Sequence, residues 1–532
     1  MVAFSFFRLP SVSALALRRV YSALFAAAAM LLSLVGPARA DDISATGRGV
    51  VRVVTIAIVE DEVVGFGHGS GFAVAPNRIV TNAHVVELLT RYPGNVVIGI
   101  VPSEGSKSYQ GKVIAIDAVH DLALIEFSGA PLPPVALYTG PISEGGMVTA
   151  LGYPGNVDLA TARSAVDYIH PLSPIRTEGV FSGRRQMSGT DVLLHTAGIA
   201  RGNSGGPLLD PCGRVIGVNS AITRGEEGDS SFGFAIADSE LAAFLTKAKQ
   251  PFQAVGTPCT SIAEIDKADR EADAQASAAA DAAKRDAAGK AVLAREAALT
   301  AARDAADRQR ENVMAIATLM LVLGAMAIGA GGLLDAQAMR RKAIWAWAIG
   351  GLVMVGAVVV FMLRPTGATL LPAATPAAVV PLAPTVSSTA PLGKLQCRFV
   401  PERSRVVSSS TTDLTLDWGK AGCMNGRVQY AENGSKWDRI LVPAEEQTVS
   451  VLQFDPATLS YVTTRYFLGA AEMDSVRKIR SQVTLKACSA DEADRANLAT
   501  QQSAIRTALP AQPNEKIVYR CTPASGAATS GG

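Results

Sequence analysis

Between residues 48 and 250 the chain alternates short apolar, β-branched runs with Gly, Pro and Asn turns. The runs are Val50–Val59, Gly71–Val74, Arg78–Thr81, Val96–Val101, Lys112–Ile116, Leu122–Phe127, Val148–Leu151, Val192–Thr196, Val215–Asn219 and Phe232–Ile236. Many short strands separated by turn signals predict an all-β barrel or sandwich, and the length suits two small barrels. Over 260–311 the pattern changes: alanine dominates, interleaved with Asp, Glu, Lys and Arg, and Gly289 is the one Gly or Pro. These are strong helix formers, and a continuous helix of that length would be about 75 Å long. A solvated helical spacer is expected, since its a/d positions carry Ala rather than the Leu of a stable coiled coil.

Two uncharged apolar runs follow, 313–334 and 343–363, each long enough to span a bilayer. The loop between them, Asp335–Lys342, holds Arg340, Arg341 and Lys342. The positive-inside rule puts that loop in the cytoplasm, so both flanking domains lie on the other side. Residues 364–393 are rich in Pro, Ala and Thr and read as an extended linker. A small β-rich domain is expected over 394–532, with strands at Thr448–Phe454, Ser460–Phe467 and Gln482–Ala487. The fold class is therefore mainly β, with a long helix and a two-helix transmembrane hairpin between the two β regions.

The start of the chain reads as an export signal over 1–40. Arg8, Arg18 and Arg19 precede the apolar run Val20–Val35, and Ala38-Arg39-Ala40 is an A-x-A cleavage site. The first β domain would then occupy 41–250. Six cysteines fit export. If pairing stays within domains, Cys212 bonds Cys259, and Cys397, Cys423, Cys488 and Cys521 keep three connectivities open. No zinc-like spacing occurs, so neither metal nor cofactor is expected. A net charge of +2 without a clustered basic face argues against a nucleic-acid partner.

Chemistry concentrates in three segments. Gly202-Asn203-Ser204-Gly205-Gly206-Pro207 surrounds a serine with glycines, which let the chain turn tightly and let the N–H groups of Gly202 and Ser204 converge on one point. Thr81-Asn82-Ala83-His84 puts a histidine just after a strand, and His120-Asp121-Leu122 puts an aspartate at the start of another. The order is His, Asp, Ser, with gaps of 37 and 83 residues. A serine nucleophile needs an imidazole base, and the imidazole needs a carboxylate to fix its tautomer and stabilise its charged form. His68, His120, His170 and His195 lack mutual metal spacing and read as surface or loop residues.

These segments, with Gly69-Ser70-Gly71-Phe72, Ala150-Leu151-Gly152-Tyr153-Pro154 and Phe232-Gly233-Phe234-Ala235-Ile236, resemble those of HtrA/Deg-like trypsin-fold serine peptidases over about 48–245. The resemblance implies a trypsin-like double β-barrel. It makes His84 the general base, Asp121 its orienter and Ser204 the nucleophile, with an oxyanion hole from Gly202 and Ser204. It also implies a substrate pocket near Gly198 and Asn219. Gly198 stands six residues before the nucleophile where an acid would select Lys or Arg, so a small or aliphatic residue is expected in the pocket. Two features depart from the family: His195-Thr196-Ala197 stands where Thr-Asp-Ala is common, and no PDZ-like segment follows residue 250. The expected function is a membrane-anchored endopeptidase of a bacterial inner membrane, its peptidase and C-terminal domains periplasmic, acting on protein or peptide substrates. The alternative is a catalytically silent membrane scaffold or peptide-binding sensor that retains the peptidase fold.

Overall fold

The computed structural model describes residues 41–223, 231–364, 391–485 and 487–524. The export signal and nearly all of the Pro/Ala-rich linker lie outside them. The described residues divide into two compact units, those up to 267 together with those from 391 onward, and those from 268 to 364.

In the first unit, β1 (Val50–Val59), β2 (Glu62–Ala75), β3 (Arg78–Thr81), β4 (Val96–Pro102), β5 (Tyr109–Asp117) and β6 (Leu122–Phe127) close a barrel in the order β1-β2-β3-β6-β5-β4. Several strands are apolar on both faces, and the packing shows why. Alternate residues point to opposite sides of a strand. Val51, Val53, Ile79, Ile100 and Ile125 pack in one cluster. Their neighbours Val50, Phe72, Val80, Leu122 and Leu124 pack in another, with residues of the second barrel.

That second barrel follows β7 (Leu137–Tyr138) and is built from β8 (Met147–Gly152), β9 (Ile175–Met187), β10 (Thr190–His195), β11 (Pro207–Leu209), β12 (Val215–Ile222) and β13 (Gly233–Ala237). Its order is β11-β8-β9-β10-β13-β12, and pairing of β11 with β12 closes the ring. β7 and β14 (Ala254–Val255) extend the sheet from β12. Among the described residues four helices accompany the barrels: α1 (Asp42–Gly47), α2 (Leu88–Arg91), α3 (Gly155–Thr161) and α4 (Asp238–Lys247). The periodicity missed β9 because only Phe181 and Gly183 of its thirteen residues are buried.

The C-terminal strands are β15 (Gly393–Phe399), β16 (Leu414–Trp418), β17 (Cys423–Met424), β18 (Val428–Gln429), β19 (Ala431–Asn433), β20 (Lys436–Leu441), β21 (Thr448–Asp455), β22 (Ser460–Phe467) and β23 (Glu515–Pro523). They form one sheet, ordered β18-β17-β16-β15-β23-β22-β21-β20-β19. Trp418, Trp437, Tyr430 and Phe454 fill its core. The expected strand at Gln482–Ala487 is absent among the described residues of that segment. Gln482 and Val483 instead close the turn after a helix, donating to the carbonyls of Ile479 and Arg480. The apolar character there has another cause: Val483 packs against the cluster of Ile440 and Val449.

Three disulfides join Cys212 to Cys259, Cys397 to Cys521 and Cys423 to Cys488. The first is the pairing that domain-confined bonding requires. The other two select one of the three open connectivities.

The C-terminal sheet packs on the barrels as part of the same unit. Ala136 and Val255 share the core cluster of Leu395, Cys397 and Val406. Fully buried Arg214 pairs with Asp210 and donates to the carbonyls of Thr257 (2.6 Å) and Val406 (3.3 Å). Asp42 of α1 is buried against Arg405, and Asn514 donates to it at 2.7 Å.

The helical segments also differ from the composition-based division. The Ala-rich stretch and the first apolar run are one 75-residue helix, α5 (Ile262–Ala336), about 110 Å long. Gly289 does not interrupt it. The next helix, α6, is Arg340–Met362, so Arg340, Arg341 and Lys342 form its first turn instead of a loop. Within the second unit the indole N–H of Trp347 donates to the Ile328 carbonyl at 3.2 Å, tying α6 to α5.

Arg405→Ala would leave the buried Asp42 carboxylate with Asn514 alone. Removing one partner of a buried pair costs about 3 kcal/mol or more. Chemical denaturation of the full chain should show that loss, and Arg405→Ala combined with Asp42→Ala should show less.

Candidate active site

His84 opens a 3-10 turn directly after β3, and Asp121 precedes β6, which pairs with β3. The two side chains therefore meet on one edge of the first barrel. The Asp121 backbone is left-handed (φ 52°), and its carbonyl accepts from the Asn82 amide at 2.8 Å. Its carboxylate lies 3.0 and 2.9 Å from His84 Nδ1 and accepts the His84 backbone N–H at 3.0 Å. Burial alone would raise the Asp121 pKa. The hydrogen bond and charge of His84, the Ser220 hydroxyl and the His84 N–H outweigh it and hold the carboxyl below the ordinary aspartate value. The carboxylate thus stays ionised and orients the ring so that Nε2 is the free basic nitrogen.

Ser204 comes from the second barrel, on the loop before β11. Gly202 (φ 98°) and Gly205 (φ 86°) flank it in backbone conformations that side chains rarely adopt. A Cβ would also clash at both places, 2.3 Å from the Tyr153 carbonyl at Gly202 and 2.2 Å from the Ser70 carbonyl at Gly205. Ser70 pins this loop to the first barrel. Its N–H donates to the Ser204 carbonyl (2.8 Å), its hydroxyl to the Gly202 carbonyl (2.7 Å), and it accepts from the Tyr153 N–H (2.9 Å). Among the described residues, the N–H groups of Gly202 and Ser204 donate to no protein acceptor. Two free amides on one tight loop are what a developing oxyanion needs.

Ser220, at the far end of β12, connects the two halves. Its hydroxyl donates to Asp121 Oδ2 (2.7 Å), and its carbonyl accepts the Ser204 hydroxyl (3.0 Å). A single run of hydrogen bonds therefore links His84, Asp121, Ser220 and Ser204. Among the described residues no hydrogen bond joins Ser204 directly to His84. Such contacts are commonly loose without substrate. Sequence reasoning missed Ser220 and the role of Ser70, because neither sits in a segment with a catalytic spacing.

Gly198 is exposed, with open space where a Cβ would stand. Asn219 is fully buried and its amide donates to the Pro207 carbonyl at 3.1 Å, so it supports the site from below. His195 is no surface residue: it is fully buried in β10, opposite Gly233 and Phe181. Burial pushes its pKa down to about 4, against the Asn219 amide and the Ala197 backbone. His68 is in a strand as well, half-buried in β2 beside Asp158.

Residues 69–218 match the family model of the trypsin-like peptidase domain. His84, Asp121 and Ser204 all fall inside that span. This segment is an HtrA-like, trypsin-fold serine peptidase domain. The chain is 31% identical over 218 residues to the serine protease Rv3671c of Mycobacterium tuberculosis, covering 40% of this chain and 49% of that protein. It is 35% identical over 175 residues to a probable periplasmic serine endoprotease, DegP-like, of Chlamydia pneumoniae, covering 32% of this chain and 31% of that one. The magnetosome formation protease MamE of Magnetospirillum gryphiswaldense is 30% identical over 172 residues, 31% of this chain and 20% of that one. The chain thus spans about half the length, or less, of these relatives. The crystal structure of Rv3671c protease in its active form aligns with 48% of this chain and 97% of its own at 23% identity, with a TM-score of 0.32.

The buried histidine of the peptidase domain gives a pH dependence with a definite sign. His195 is neutral in the folded chain down to about pH 4, whereas an unfolded histidine takes up its proton near 6.5. Stability present above pH 6.5 is therefore lost as pH falls toward 4, by about 3 kcal/mol in all. His195→Gln should lose less stability than the parent between pH 7 and 4.5 in urea titrations.

Proposed function

We propose that the chain is a membrane-anchored serine endopeptidase that cleaves protein substrates through an acyl-enzyme. The observation that carries this reading is the hydrogen-bonded run from His84 through Asp121 and Ser220 to Ser204, beside the free amides of Gly202 and Ser204. His84 takes the proton of the Ser204 hydroxyl as the oxygen attacks the scissile carbonyl. Asp121 stabilises the imidazolium, and the two amides receive the oxyanion. His84 then gives the proton to the leaving amine, and water repeats the sequence on the ester. Gly198, which places no acid six residues before the nucleophile, supports a small or aliphatic preference in the primary pocket.

The membrane part of the proposal rests on α5 and α6. Both are long and apolar enough to cross a bilayer. Large apolar side chains stand exposed on them, among them Leu319 (61%) and Leu352 (74%), where a soluble core helix would bury them. The basic first turn of α6 supports a cytoplasmic hairpin tip, with the peptidase and C-terminal domains periplasmic.

The exported protein should react covalently with a fluorophosphonate and cleave unfolded casein. Ser204→Ala should abolish both, with activity falling by several orders of magnitude while the fold is retained. Undiminished cleavage by that variant would remove Ser204 from the mechanism. For topology, alkaline phosphatase fused after Lys394 should be active and fused at Arg341 inactive. The reverse pattern would overturn the proposed orientation.

A further inference from the structure

Behind the oxyanion loop lies a polar cluster that the triad does not use. Arg52 of β1 and Asp158 of α3 are both nearly fully buried and pair at 2.7 Å. Arg52 also donates to the carbonyls of Asp167 (3.3 Å) and Tyr168 (3.2 Å) and lies over the rings of Tyr153 and Tyr168. The second Asp158 oxygen is 3.2 Å from His68 Nε2. Tyr168 meets the imidazole edge-on, with ring centres 5.4 Å apart. Isolated charges are not buried without a structural return, so what this group holds is the question.

The answer lies in the peptide between Arg201 and Gly202. The carbonyl of Arg201 accepts the N–H of Gly155 at 2.7 Å, and Gly155 is the first residue of α3. In a trans peptide the N–H points opposite to the preceding carbonyl. Fixing the Arg201 carbonyl therefore fixes the direction of the Gly202 N–H. Helix α3 is in turn held by Asp158 through Arg52, and the His68 ring lies against the second Asp158 oxygen. The imidazole also backs Gly202 directly: a Cβ there would come within 2.9 Å of His68 Nε2.

We propose that His68 is a positioning residue for the oxyanion hole, its ring wedged between Asp158 of α3 and Gly202 so that Gly155 aims the Gly202 N–H at the developing oxyanion. This rests on the serine-peptidase reading of the site. It places His68 in transition-state stabilisation, apart from substrate binding and proton transfer. A loss of aim then lowers kcat and leaves KM in place, since the donor matters most once charge develops.

The test uses the full-length protein in detergent, with His68→Phe, His68→Gln and Asp158→Asn. Measured for each are kcat and KM on a peptide ester, the affinity of a peptide boronic acid, and the thermal midpoint. His68→Phe should lower kcat roughly 10- to 100-fold and weaken the boronate by a similar factor, with KM within about twofold. His68→Gln, which keeps a planar polar group between Asp158 and Gly202, should recover most of the loss. Asp158→Asn should follow His68→Phe. Unchanged kcat and boronate affinity in His68→Phe would overturn the proposal. So would a fall in kcat that tracks a lower thermal midpoint and is not rescued by glutamine. If the parent protein reacts with neither ester nor boronate, the serine-peptidase reading itself fails and takes this proposal with it.

Discussion

No single barrel holds a working site: His84 and Asp121 belong to the first, Ser204 and Ser220 to the second. Everything therefore depends on the apolar seam that fixes one barrel against the other. Val50, Phe72, Val80, Leu122 and Leu124 on one side meet Leu151, Tyr153, Leu209, Val218 and Ile236 on the other, nearly all inaccessible to water. At about 1.5–3 kcal/mol for each large side chain buried, the seam outweighs any polar contact across it. It is non-directional, however. It brings the barrels together without choosing the geometry of the catalytic groups to a few tenths of an ångström.

Hydrogen bonds supply that choice. Ser70 ties β2 to the loop of Ser204 by two hydrogen bonds and to Tyr153 by a third, and the Thr81 hydroxyl, on the strand leading to His84, donates to the Ser70 carbonyl at 2.7 Å. Ser220 ties β12 to Asp121. Each contributes about 1 kcal/mol net, little for stability. Their buried donors and acceptors have no cheaper arrangement, so they select one register of the two barrels out of the many that an apolar seam tolerates.

How legible this was in the sequence follows from the range of each interaction. The edges of Val50–Val59, Arg78–Thr81 and Leu122–Phe127 coincide with β1, β3 and β6, because turn residues bound them locally. The segments of His84, Asp121 and Ser204, which the fold brings together, were readable for the same reason: each carries its own backbone requirement, above all the glycines around Ser204. Ser220 was not, since its partner Asp121 lies 99 residues away and nothing near Ser220 announces the contact. His195 was misread because a lone histidine carries no periodic signal. The apolar neighbours that bury it come from β9 and β13, and β9 is itself too polar to show. The Ala-rich stretch and the first apolar run were told apart by composition, although nothing between them stops a helix.

The C-terminal sheet extends the same logic to the side of the molecule where the β11–β12 turn lies. That turn, Asp210 to Arg214, lies on the hairpin whose two ends carry Ser204 and Ser220. Arg214 is its fixed point: fully buried, paired with Asp210, and donating to carbonyls of the segment before α5 and of the C-terminal domain. The Cys212–Cys259 bond closes the same turn onto that segment. A guanidinium cannot shed its charge to suit a dry site, so its acceptors must stay where they are. The C-terminal domain thus completes the coordination of a residue on the hairpin between Ser204 and Ser220. A movement of that domain would have to be met within the hairpin itself, close to the nucleophile.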